Sequence, residues 1–221
     1  VAGVDEVGRG ALFGPVVAAA VILPDSALET LAAQGVRDSK QLSAMQRREL
    51  VQLIYTSAIA CRIGYASVRE IDRLNILQAS LLAMKRAVLR LTVPPDLCLI
   101  DGNQRIPGLT LPQQTVIQGD QTSLAIASAS IIAKVWRDDL MTRLAKRYPA
   151  YQLAKNKGYG TVAHRQAIAK YGVSPYHRKS FSPCQVAPIP TLAPHPAATR
   201  PLVDNLPRSD SPSLTDASDA V

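Results

Sequence analysis

Apolar positions along the first hundred residues recur with two distinct periods, and the period changes mark the elements. Residues 1–7 alternate loosely and end in Gly8-Arg9-Gly10, whereas 15–23 is a continuous apolar run typical of a fully buried strand. A short glycine-rich link between them predicts an antiparallel pair. Residues 43–55 follow with helical spacing, Ser43 standing where an N-cap belongs and Leu50, Leu53 and Ile54 on one face. Residues 60–66 read as a third strand. In 68–91 the apolar positions Ile71, Leu74, Leu77, Leu81, Met84 and Val88 are three and four apart, which predicts one helix. Residues 97–100 and 115–117 are short apolar strands, stopped by Asp101-Gly102-Asn103 and by Gly119-Asp120. A long helix is predicted over 121–147, its first half rich in Ala and Ser and so suited to close packing on a sheet. A further helix over 162–171, with a short one before it, completes a helical C-terminal region. Strands mixed with helices in this order predict an α/β domain with a mixed central sheet flanked by helices.

Composition sets the limits of that domain. With 221 residues and 47% hydrophobic content, one domain with an appendage and a substantial core is expected. Aromatic residues cease at Phe181, and 186–221 holds seven of the 16 prolines. Such a stretch cannot bury enough apolar area to offset its ordering entropy, so a catalytic or binding domain over 1–185 and a disordered Pro/Ser-rich tail over 186–221 are expected. The formal charge is +8. The tail carries two arginines against four aspartates, leaving about +10 on the preceding residues, a balance that suits either a polyanionic partner or simple solubility. Three separated cysteines and three histidines argue against a disulfide framework and a structural zinc site. No apolar run reaches the about 20 residues a bilayer span needs, and none follows a basic leader. A soluble, cytoplasmic protein without membrane contact is the expectation.

Acids sit where the predicted strands end. Asp5 and Glu6 close the first strand, Asp101 closes another, and Asp120 follows a third at the start of a helix. Apolar strands deliver their last residues to one edge of a sheet, so these carboxylates can converge there. Clustered like charges are costly unless cations occupy the site, and hard oxygen donors with few histidines point to Mg²⁺ or Mn²⁺. Two such ions about 3.5–4 Å apart serve in-line displacement at phosphorus. Each acid also has a plainer role open to it. Asp120 could be a helix N-cap, Asp101 an ordinary turn residue, and Glu6, as the strand neighbour of Asp5, could face away toward a surface salt bridge.

Six blocks narrow the choice. Val4-Asp5-Glu6-Val7-Gly8-Arg9-Gly10, Asp38-Ser39-Lys40, Ile100-Asp101-Gly102-Asn103, Gly119-Asp120, Ala129-Ser130-Ile131-Ile132-Ala133-Lys134-Val135-Trp136-Arg137-Asp138 and Lys157-Gly158-Tyr159 resemble, in order, the motifs of bacterial ribonuclease HII over residues 1 to about 183. The resemblance implies an RNase H-like fold and a metal-dependent endonuclease that cuts the RNA strand of RNA–DNA hybrids and single ribonucleotides embedded in duplex DNA. It places the catalytic, metal-binding quartet on Asp5, Glu6, Asp101 and Asp120, holding two Mg²⁺ or Mn²⁺ ions. Cleavage would fall 5′ of the ribonucleotide, leaving 5′-phosphate and 3′-hydroxyl ends, with a role in ribonucleotide removal during repair and replication.

By the same resemblance Gly8, Arg9 and Gly10 contact the 2′-hydroxyl while Tyr159 packs on the neighbouring deoxyribose. The 2′-hydroxyl is what distinguishes RNA from DNA at one position, and glycines permit close backbone approach. Lys40, Lys134, Arg137 and Lys157 match basic motif positions suited to phosphate contact or to orienting the site. Ser128 and Ser130 suit packing or donation to phosphate. His164 and His177 have no ligand partners at metal spacing and are read as structural. Ala11 replaces a proline common after the Gly-Arg-Gly loop, and Asn156 a histidine common before Lys-Gly-Tyr; neither touches the acidic quartet. The related type III enzymes carry an extra N-terminal domain, and this chain starting at the catalytic strand favours type II. A hybrid-binding protein without a competent metal site is disfavoured by the presence of all four acids. A monomer is expected, and no partner is read for the tail.

Overall fold

The computed structural model describes residues 1–37 and 42–185; the candidate Lys40 and the expected tail 186–221 lie outside the described residues. A five-stranded sheet runs in the order β3-β2-β1-β4-β5, built from β1 (Ala2–Val7), β2 (Val16–Ile22), β3 (Ala60–Ala66), β4 (Cys98–Asp101) and β5 (Gln113–Val116). The first three strands are antiparallel, and β4 and β5 continue from β1 in parallel. The expected mixed α/β architecture is therefore the observed one.

All seven residues of β2 are buried, because helices cover both faces of the sheet. Fully burying each of its Val and Ile side chains contributes about 1.5–3 kcal/mol. On one face, Val17, Ala19 and Val21 pack with Leu50 and Ile54 of α2 (Ala44–Ser57) and with Ile131 and Ile132 of α6 (Leu124–Arg147). On the other, Val16, Ala18 and Ala20 meet Ala83, Met84 and Ala87 of α4 (Ile76–Leu89). A third cluster gathers Phe13, Met141, Tyr148, Tyr151 and Ile168, joining the end of α6 to α7 (Leu153–Asn156) and α8 (Val162–Tyr171). Alanine and glycine set the spacing. A methyl on Gly3 would run into the backbone of Ala125, and one on Gly64 into the Ala83 carbonyl, so α6 and α4 lie directly on the sheet.

Two helices expected to be continuous are broken. Residues 68–91 divide into α3 (Val68–Leu74) and α4 at Asn75, which takes φ 72° and caps α4 by accepting from the Gln78 amide at 3.1 Å. Apolar spacing passes through the break undisturbed, which is why periodicity alone read one helix. The helix expected over 121–147 is likewise interrupted at Ser123, between α5 (Gly119–Thr122) and α6, the Ser123 hydroxyl accepting from the Ile126 amide. The remaining helix, α1 (Asp25–Ala33), was not anticipated; it buries only Leu31 and leaves little periodic signal. Among the described residues no helix is long and apolar enough to cross a membrane.

Candidate active site

The parallel pairing of β1 with β4 sets Val4 beside Ile100, so the next residues along, Asp5 and Asp101, emerge side by side at the same edge. Asp5 is buried and faces α6, where the Ser130 side chain hydrogen-bonds to it. Its Oδ1 also accepts from the Glu6 amide at 2.6 Å. Burial, reinforced by the charges of Glu6 and Asp101, pushes the Asp5 carboxyl well above the ordinary carboxylate range. Glu6 is raised as well, chiefly by burial, with Arg9 pulling the other way. Its Oε1 lies 3.2 Å from Arg9 Nη1. The strand neighbours interact electrostatically with each other and with Asp101 at the strand end.

Asp101 does not behave as a local turn residue. Its Oδ1 accepts from the Gly119 amide, 18 positions away, at 2.8 Å, drawing the start of α5 onto the end of β4. Asp120 follows on α5 and is buried. It is not an N-cap, since Gln118 stands at the N-cap position of α5 and Ser123 caps α6. Among the described residues no three His, Cys, Asp or Glu side chains form a ready-made cage for one ion. Three of the carboxylates are instead engaged by protein donors: Asp5 by Ser130, Glu6 by Arg9 and Asp101 by the Gly119 amide. As a donor set, neighbouring carboxylate oxygens, two of them on groups that burial and nearby like charge push above the ordinary carboxylate range, suit a hard divalent cation.

The Gly8-Arg9-Gly10 loop lies beside this cluster. Gly8 has φ 89°, and a methyl there would run into Arg137 Nε, whereas Gly10 faces open space. Arg9 is exposed apart from its contact with Glu6. The loop is stitched to the Lys157-Gly158-Tyr159 turn by a bridge between Ala11 and Tyr159 and by the Gly158 carbonyl, which accepts from the amides of Leu12 at 2.8 Å and Phe13 at 3.2 Å. Asn156, the departure from the family motif, is buried and shapes the turn: Nδ2 donates to the Tyr151 carbonyl at 2.7 Å, and Oδ1 accepts from Gly158 at 2.8 Å. Tyr159 is half-buried, with Lys134 Nζ 5.7 Å from its ring centroid.

The basic candidates divide. Lys134 pairs with Asp138 at 2.8 Å, and Lys157 Nζ donates to Thr142 Oγ1 at 2.7 Å; both remain at the rim of the site. Arg137 is fully buried and its guanidinium hydrogen-bonds to backbone carbonyls, so of the two roles open to it phosphate contact is excluded and orientation of the site remains. Ser128 is buried with no hydrogen-bond partner for its hydroxyl among the described residues, consistent with packing, while the Ser130 side chain hydrogen-bonds to Asp5. His164 and His177 are buried and 3.2 Å apart, a structural pair. Sequence reasoning missed Arg178, which donates to the Arg9 and Gly14 carbonyls from full burial. No periodic signal reaches a loop arginine, and charge alone assigns it to the surface.

Known proteins share both the sequence and the fold. The family model described as ribonuclease HII matches residues 2–184. The ribonuclease HII of Trichodesmium erythraeum is 69% identical over 184 residues, covering 83% of this chain and 87% of the relative. Among solved structures, the ribonuclease H2 of Pyrococcus horikoshii OT3 superposes with a TM-score of 0.69 at 25% identity, over 83% of this chain and 94% of that one. Bst-RNase HIII, solved in complex with Mn²⁺, shares the fold with a TM-score of 0.69 at 22% identity, over 83% of this chain and 67% of its own. Fold and sequence agree, and the chain belongs to the ribonuclease HII family, as a ribonuclease H that acts as an endonuclease on RNA–DNA hybrids.

Proposed function

We propose that the protein cuts 5′ of single ribonucleotides embedded in duplex DNA, as well as within hybrids, and that Asp5, Glu6, Asp101 and Asp120 form its divalent-metal centre. The observation that carries this reading is the placement of Asp5, Glu6 and Asp101 at one sheet edge, beside a Gly-Arg-Gly loop bridged to Tyr159. Bound at the carboxylates, Mg²⁺ or Mn²⁺ would supply the positive charge that lets these acids ionise together and the Lewis acidity for displacement at phosphorus; Bst-RNase HIII, of the same fold, binds Mn²⁺.

The chain's own residues do the rest. The acids would hold the divalent ions at the sheet edge where the scissile phosphate is to lie, with Ser130 holding Asp5 and the Gly119 amide holding Asp101. Glu6 is tethered to Arg9, which couples the acid cluster to the loop that meets the 2′-hydroxyl. Tyr159 packs on the adjoining deoxyribose, where a second hydroxyl would clash, so the site registers an RNA–DNA junction. Lys134 and Lys157 flank the phosphate track, with Lys40 assigned there from its motif. Water adds to phosphorus as the bond to the 3′ oxygen breaks, giving 5′-phosphate and 3′-hydroxyl ends.

Asp5→Asn tests the assignment. The carboxylate is lost but the shape is kept, so cleavage should fall by on the order of 10³-fold or more while hybrid affinity changes by less than about threefold. Cleavage surviving in that variant would remove Asp5 from the reacting centre.

A further inference from the structure

Arg137 on α6 and Arg178, seven residues beyond α8, are both 0% exposed. Neither forms an ion pair among the described residues. Burying a charge without a countercharge is among the most unfavourable things a core can do, and burial holds both guanidinium groups below their ordinary pKa, Arg178 to about 9 with the like charge of Arg137 adding to the effect. A leucine or methionine would fill such space without that penalty. What a guanidinium adds is a rigid fork of directed donors.

Every one of those donors that is engaged meets the backbone beside the site. Arg137 donates to the carbonyls of Pro15 at 3.2 Å, Lys157 at 2.8 Å and Phe13 at 3.0 Å. Arg178 donates to Gly14 at 3.0 Å and to Arg9 at 2.7 Å. Four of these carbonyls belong to residues 9–15, which carry or directly follow the Gly-Arg-Gly loop, and the fifth belongs to the turn that presents Tyr159. Arg137 thus spans both halves of the recognition surface. Its guanidinium carbon also lies 5.4 Å from the Tyr159 ring centroid, and Gly8 rests against its Nε, with no room for a methyl between them.

We infer that Arg137 and Arg178 are positioning residues for ribonucleotide recognition, setting the spacing between the Gly8-Arg9-Gly10 loop and Tyr159. This inference rests on the junction reading above. It assigns neither arginine a contact with substrate, since both are enclosed.

The test is the ratio of two rates, cleavage of a DNA duplex holding one ribonucleotide over cleavage of an RNA–DNA hybrid. Arg137→Lys keeps the charge and loses the fork, and a misplacement of one ångström at a recognition surface costs on the order of 10- to 100-fold. The ratio should fall at least about tenfold in Arg137→Lys and in Arg178→Lys. In a Tyr159→Ala background, Arg137→Lys should change the ratio no further, because both act through one spacing. A variant that merely destabilises the protein lowers both rates together and leaves the ratio intact; that result, or failure of both lysine variants to fold, would assign the arginines to stability alone and overturn the inference. If Tyr159→Ala by itself leaves the ratio of the parent protein unchanged, the junction reading fails instead, and the two failures are told apart.

Discussion

Asp5 and Glu6 show how much one strand end can encode. Adjacent strand residues point to opposite faces, yet Asp5 is buried and Glu6 half-buried, both carboxyls are raised, and Glu6 reaches Arg9 of the recognition loop. Gly8 makes a sharper test of local geometry. With φ at 89° and Arg137 Nε where a methyl would go, Gly8→Ala should cost about 1–3 kcal/mol in urea unfolding and reduce cleavage more than stability predicts. A fully stable, fully active Gly8→Ala protein would show that the loop does not need this conformation. The acids were legible as residues because apolar runs stop at them. Ser130 as a partner of Asp5, and the buried arginines, were not: hydroxyl orientation and charge burial depend on which loops fold over a side chain, and neither leaves a periodic trace.

At the scale of elements, the chain's breaks are chemical rather than hydrophobic. Asn75 ends α3 and begins α4 at φ 72° and ψ 166°, a region nearly reserved for glycine. Asn75→Ala should therefore cost about 1–3 kcal/mol through strain and the lost cap, whereas Asn75→Gly should be near neutral; equal stability of the two in thermal unfolding would contradict this account. The C-terminal helices hold a second device. The Ser174 amide donates to His177 Nδ1 at 2.8 Å, the two His Nε2 atoms lie 3.2 Å apart, and His164 Nδ1 lies 2.9 Å from the Tyr159 carbonyl. With both rings neutral, one tautomer chain satisfies all three contacts, His177 donating to His164 and His164 to Tyr159.

Burial, with His164 adding to it, pushes His177 down to about 3. A depressed folded-state pKa means that this stability is present above the unfolded value near 6.5 and is lost as pH falls toward 3, because the unfolded chain takes up protons that the folded one refuses. Stability should drop by about 2–3 kcal/mol from this group between roughly pH 7 and 4.5, and His177→Gln should flatten that slope in urea unfolding. An unchanged slope would show that the pair is not buried neutral.

For the molecule as a whole, a mixed sheet flanked by helices followed from hydrophobic period, since a sheet covered on both faces needs continuous apolar strands; the strand order β3-β2-β1-β4-β5 did not, because no periodic signal says which strands lie side by side. The junction between the Gly-Arg-Gly loop and the Lys-Gly-Tyr turn, about 150 residues apart in sequence, was visible only through family resemblance, because no local rule relates them. The formal charge of +8 belongs to the same scale. Binding to an RNA–DNA hybrid should weaken steeply as salt rises, through counterion release from contacted phosphates, and an affinity indifferent to salt in a fluorescence titration would contradict a basic footprint.

The most direct test of the central claim is cleavage of an end-labelled DNA duplex containing one ribonucleotide, with Mg²⁺, with Mn²⁺ and with chelator, mapping the cut to the nucleotide. The account predicts a metal-dependent cut on the 5′ side of the ribonucleotide, leaving 5′-phosphate and 3′-hydroxyl ends. Cleavage that persists in chelator, or that occurs only within long hybrids, would contradict it.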